Sequence, residues 1–152
     1  MQGGCACGEI RYQLTSRPMW VNACHCTWCQ RETGSAFAVN ALIETDRVKL
    51  TAGRPEPVQT PSQSGKGQTI LRCPTCKTAL WSHYAGGGPK LAFVRTGTLD
   101  APHDINPDIH IFTANKRPWV QLPTDVRAVP EHFSPKDVWP PQTLARAAAL
   151  RR

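Results

Sequence analysis

The chain has 152 residues and a formal charge of +7, a length that suits one domain with a core and leaves no room for two. No apolar run approaches a membrane span and no basic-then-apolar leader opens the sequence, so a cytoplasmic protein without a membrane partner is expected. The positive charge is dispersed. Residues 134–152 hold Lys136, Arg146, Arg151 and Arg152 against Asp137, and no basic stripe interleaves with aromatics, which disfavours nucleic acid as a partner.

Eleven glycines and fourteen prolines, with no long amphipathic helix repeat, predict short strands joined by turns. Gly3–Gly8 reads as a turn able to wrap a metal. It is followed by a strand over Glu9–Leu14 with Ile10, Tyr12 and Leu14 in alternation. Val21–Ala23 leads into a cysteine cluster, and Thr27–Thr33 is predicted as a short helix with Thr27 as N-cap and Gly34 as its stop. Phe37–Ile43 is strand-like, with Val48–Thr51 as a short partner. Glu56–Thr60 and Gln68–Arg72 flank a polar hairpin loop, and Ala79–Tyr84, Leu91–Thr96 and Ile109–Phe112 complete the strands. The composition shifts after His132, so the reading is a domain over 1–133 and a basic tail over 134–152. The tail carries an Ala/Arg-rich helix, Gln142–Arg152, expected to be a solvated appendage outside the core.

The seven cysteines fall into three tight groups: Cys5 and Cys7; Cys24, Cys26 and Cys29; Cys73 and Cys76. Crowding of this kind, and an odd count, favour metal ligation over disulfides. The Cys73-Pro-Thr-Cys76 knuckle needs a second pair. Cys5/Cys7 and two of the three central cysteines both qualify, and the glycine-rich turn around Cys5 and Cys7 favours the former. That division makes a closed four-sulfur site, which supports folding, and leaves Cys24, Cys26 and Cys29 one ligand short, as open catalytic sites are.

A fourth ligand for the trio could come from His25, His83, His103, His110, His132 or water. An extended backbone would turn His25 away, and His110 between two isoleucines reads as a half-buried histidine. Three thiolates make zinc a weak Lewis acid for water, but a thiol in the fourth position would be held deprotonated. No histidine is followed two residues later by Glu, as the hydrolytic zinc deaminases require. No cysteine remains outside the clusters for a methionine sulfoxide reductase. Trp28 and Phe37 read as core or pocket wall, and Arg31 as a solvated helix residue that could also meet a carboxylate.

Residues 3–12, the run Cys24-His-Cys26-Thr-Trp-Cys29-Gln-Arg-Glu-Thr33-Gly34-Ser35-Ala36-Phe37, Cys73-x-x-Cys76, Gly97–Asp100 and Pro107–Trp119 occur in an order that resembles the glutathione-dependent formaldehyde-activating enzyme family, which shares its domain with centromere protein V. The resemblance implies a mainly β, β-tent fold with zinc knuckles and two zinc ions per chain. The structural zinc would sit on Cys5, Cys7, Cys73 and Cys76, and the catalytic zinc on Cys24, Cys26 and Cys29. It also implies carbon–sulfur lyase activity, with glutathione and formaldehyde, or a related electrophile, as partners. A non-catalytic zinc-organised interaction module like centromere protein V is the alternative. Lys77 departs from the family's usual glycine after the second knuckle cysteine, at a position where a left-handed backbone would strain it.

Overall fold

A computed structural model describes residues 1–151. In chain order the strands are β1 (Gln2–Gly4), β2 (Arg11–Leu14), β3 (Trp20–Cys24), β4 (Ala38–Glu44), β5 (Val48–Ala52), β6 (Glu56–Thr60), β7 (Gln68–Arg72), β8 (Ala79–Tyr84), β9 (Leu91–Arg95), β10 (Ile109–Ile111) and β11 (Arg127–Ala128). The helices are α1 (Thr27–Thr33), α2 (Pro135–Val138) and α3 (Pro141–Ala149). The protein is thus mainly β with a few short helices, as expected. Among the described residues no helix is long and apolar enough to cross a membrane.

Two sheets form, one ordered β1-β2-β5 and the other β11-β10-β3-β4-β9-β8-β7-β6. Pairing is antiparallel throughout the large sheet except at β10, which runs parallel to both β3 and β11. Alternation along the strands places Val21, Ala41, Ile43, Ala92 and Val94 on one face. They form the main core with Ile10, Tyr12 and Leu14. The Tyr12 ring meets Trp81 edge-on at 5.7 Å, the geometry aromatic quadrupoles favour.

Two expectations fail here. Val48–Ala52 pairs with β2 rather than β4, and its side chains, apart from the half-buried Val48, are exposed. Gly3 and Gly4 belong to a strand rather than a turn. A Cβ at Gly3 would lie 2.6 Å from the Thr98 carbonyl oxygen and the Tyr12 hydroxyl, so glycine serves close approach there.

The opposite face of the large sheet carries Trp20, Asn22 and Cys24 on β3, Ala38, Asn40 and Leu42 on β4, and Phe93 and Arg95 on β9. The C-terminal segment covers one end of this face and is no solvated appendage. Trp139, Ala147 and Leu150 pack against Met19, Leu42 and Leu91. The buried Thr143 hydroxyl donates to the Met19 carbonyl at 2.8 Å, and Arg146 forks onto Glu44 at 2.8 and 2.5 Å. The Ala-rich composition hid this docking. Its apolar stripe is built from small residues, and its charged partner lies on a strand a hundred residues earlier.

Candidate functional site

The first cysteine group forms where the β1–β2 connection meets the β7–β8 turn. Cys5, Cys7, Cys73 and Cys76 bring their sulfurs within 4.8 Å of one another. Cys5 and Cys7 are 3.4 Å apart and Cys7 and Cys73 3.7 Å. Zinc–sulfur bonds of about 2.3 Å in a tetrahedron set sulfurs roughly 3.8 Å apart, so the four fit such an ion without rearrangement. Backbone geometry supports the thiolates. The Ile10 amide donates to Cys5 Sγ at 3.2 Å, and the Cys76 thiol is lowered to about 5, chiefly by Thr78 through its hydroxyl and its amide. Lys77 is left-handed, with φ 61°, and its amide reaches back to the Cys73 carbonyl at 3.1 Å.

The second group sits on the opposite face of the large sheet. Cys24 ends β3, Cys26 caps α1 and Cys29 lies in its first turn. Their sulfurs also lie within 4.8 Å of one another, and among the described residues no fourth Cys, His, Asp or Glu joins them. The N-cap is Cys26 rather than the expected Thr27, because the Cys26 sulfur accepts the Cys29 amide at 3.4 Å. Gly34 closes the helix in the left-handed conformation, donating to the Gln30 carbonyl. All three cysteines are buried, at 6%, 2% and 5% exposure, in an apolar shell of Ala38, Ile109 and Ile111 against which Trp20, Phe133 and Val138 pack.

The three sulfurs compete for protons. Hydrogen bonds from Cys24 and Cys29 lower Cys26 to about 3, and the same contact with Cys26 pushes Cys24 far up. Cys29 gains from Cys24 but loses more to Cys26 and to burial, ending at about 11, with Arg95 drawing it down. One thiolate is therefore easy and three are hard, unless a cation stands among them. This donor set suits a soft or borderline divalent ion.

The histidines do not serve the trio. His25 turns away, its Nε2 2.9 Å from His110 Nδ1 and its ring 4.9 Å from Phe37. Burial, with His110 and Lys116, lowers His25 to about 4. The parallel pairing of β10 with β3 brings His110 there, a contact that sequence spacing does not show. His83 is held by the Leu91 carbonyl, and His132 stacks on Phe133. Arg31 is exposed, its guanidinium 6.0 Å from the Trp28 ring.

Between the two cysteine groups runs an open cleft of about 550 Å³, lined among others by Glu32, Phe37, Arg72, Lys77 and Arg95. Arg72 pairs with Glu32 across it. Cys76 borders the cleft and the trio does not. The floor beside the trio is polar. Arg95 donates through Nη1 to Asn40 Oδ1 and through Nη2 to Ser82 Oγ at 3.2 Å. Burial and the nearby Cys29 sulfur raise the Tyr84 phenol well above its ordinary range. Arg95, Asn40, Ser82 and Tyr84 escaped the sequence reading. Their one signal is a polar side chain at a same-face position in an otherwise apolar strand.

Fold and cysteine geometry together define a small β protein with two sulfur-rich centres that could each hold a metal ion. The family model for the glutathione-dependent formaldehyde-activating enzyme matches residues 1–115, and the chain belongs to that family. A solved protein of Rhodobacter sphaeroides is similar in fold, with a TM-score of 0.51 and 19% identity, covering 70% of this chain and 92% of the other. No curated protein matches the sequence significantly.

Proposed function

We propose that the protein is a zinc-dependent carbon–sulfur lyase/synthase that joins a thiol, glutathione in the family's reaction, to formaldehyde or a related aldehyde. The observation that carries this reading is the incomplete trio: three buried sulfurs within 4.8 Å, with no fourth protein ligand among the described residues. Cys24, Cys26 and Cys29 would hold the catalytic ion, and Cys5, Cys7, Cys73 and Cys76 the structural one. When bound, the ion at the trio supplies a position in which an incoming thiol is kept deprotonated.

The chain's own residues set the rest. Ile109, Ile111, Trp20 and Phe133 exclude water from the sulfurs, which favours addition over hydrolysis. In the addition a sulfur–carbon bond forms and the carbonyl π pair moves to oxygen. That oxygen takes up a proton equivalent to the one the thiol lost, so nothing is oxidised, and the lyase direction is the reverse.

The test combines metal analysis with thiol-dependent turnover of formaldehyde. The reading requires close to two zinc per chain, and Cys29→Ser should remove one zinc and the turnover while the fold persists by circular dichroism. A single zinc unaffected by Cys26→Ser, or full turnover in Cys29→Ser, would refute it.

A further inference from the structure

We propose that Arg95 is the counter-charge of the three-cysteine centre, a positioning residue that makes a buried trithiolate–metal group electrically neutral. The proposal rests on the metal reading above. Three thiolates around a divalent ion leave one net negative charge, and burying that charge unpaired in an apolar shell is costly.

Arg95 is the cation placed to offset it. It is buried at 6% exposure, yet none of the ion pairs among the described residues includes it. A guanidinium does not lose its proton in a protein, so its buried charge needs a partner. Asn40 and Ser82, which receive its two terminal nitrogens, are neutral, and its Nε–H has no acceptor among the described residues. Such a charge is an anomaly unless an anion stands nearby.

Strand register says where that anion is. Asn22, Asn40 and Arg95 form one cross-strand row, and Cys24 and Ala38 form a row two residues further along the same face, so Cys24 lies two strands across from Arg95 and roughly 7 Å further along the strands. The fork onto Asn40 and Ser82 fixes the guanidinium on that face, where Arg95 lines one cleft with Ala38, a packing neighbour of the three cysteines. Fixing a cation by neutral amide and hydroxyl groups leaves its charge available, where a carboxylate would have cancelled it. That fits an Arg95 held by Asn40 of its own row and by Ser82 of the neighbouring strand.

The experiment is chelator competition on the full chain loaded with zinc, following release of the ions separately from the two centres, with Arg95→Met, Arg95→Lys and Asn40→Asp. Arg95→Met should weaken zinc at the trio about 10- to 100-fold, a usual range for outer-shell partners, and leave the four-sulfur centre unchanged. Arg95→Lys should recover most of the loss, because it restores charge without the fork. Asn40→Asp keeps the size and the contact but pairs the guanidinium with a carboxylate, and should weaken the trio about 10-fold. Equal weakening by Met and Lys, or no change in Asn40→Asp, overturns the proposal. If Arg95→Met does not fold, Asn40→Asp decides alone. A wild-type chain that holds only one zinc overturns the metal reading and this one with it, whereas two zinc ions insensitive to these variants sink this one alone.

Discussion

Arg146 in the last helix closes two hydrogen bonds on the buried carboxylate of Glu44, at 2.8 and 2.5 Å, across 102 residues of sequence. Burial pushes the Glu44 carboxyl up, and the Arg146 hydrogen bonds and charge bring it below its ordinary value. A depressed carboxyl contributes stability that is present above its unfolded pKa and lost as the pH falls through its folded one. Arg146→Ala should therefore cost about 2 kcal/mol near neutrality. The gap to wild type should shrink in acid, below the unfolded carboxylate value of about 4. Urea unfolding at several pH values measures it, and a pH-independent gap would discount the pair.

Deleting residues 134–152 should strip cover from Met19, Leu42 and Leu91, and take Trp139, Ala147 and Leu150 from their cluster. The shortened chain is expected to unfold at lower urea and to bind a hydrophobic dye strongly. An unchanged midpoint would show that the helix contributes nothing to the domain.

Cys73→Ser should leave little folded protein, since the fully buried Cys73 joins the β7–β8 turn to the β1–β2 connection, and a structural site supplies folding energy directly. Soluble yield and circular dichroism check this. Cys29→Ser should fold by the same measures, because its centre lies at one end of a helix and not between the two sheets.

Lys77 stands at φ 61°, where a side chain costs about 1 kcal/mol relative to glycine. Its exposed ion pair with Glu56, at 2.8 Å, returns little. Lys77→Gly is expected to raise the thermal midpoint and Lys77→Ala is not. A lower midpoint for the glycine variant would show that the ion pair outweighs the strain.

Local spacing carried far in this chain because metal ligation is written locally. Knuckles and a cluster within six residues announce themselves, and Gly34 ends its helix through a conformation few other residues accept. The hairpin of β6 and β7 was equally legible, because its strands and loop are contiguous. The identity of the Cys26 cap was not, since it depends on where a sulfur, rather than a hydroxyl, happens to meet an amide.

What the sequence determined by itself is the mainly β class, the three tight groups of cysteines, and the short helix between Cys26 and Gly34, with a preference for joining Cys5 and Cys7 to Cys73 and Cys76 that the structure bears out. Tertiary structure alone decided that β5 leaves β4 for β2, that β10 runs parallel to β3 and presses His110 on His25, that the tail helix docks on Glu44, and that Arg95 lies buried on Asn40 and Ser82. The reason is one of range. Turns, caps and ligand spacings are set by neighbours a few residues away, whereas strand order and buried charge depend on which distant surfaces meet, and no short stretch of sequence holds both partners.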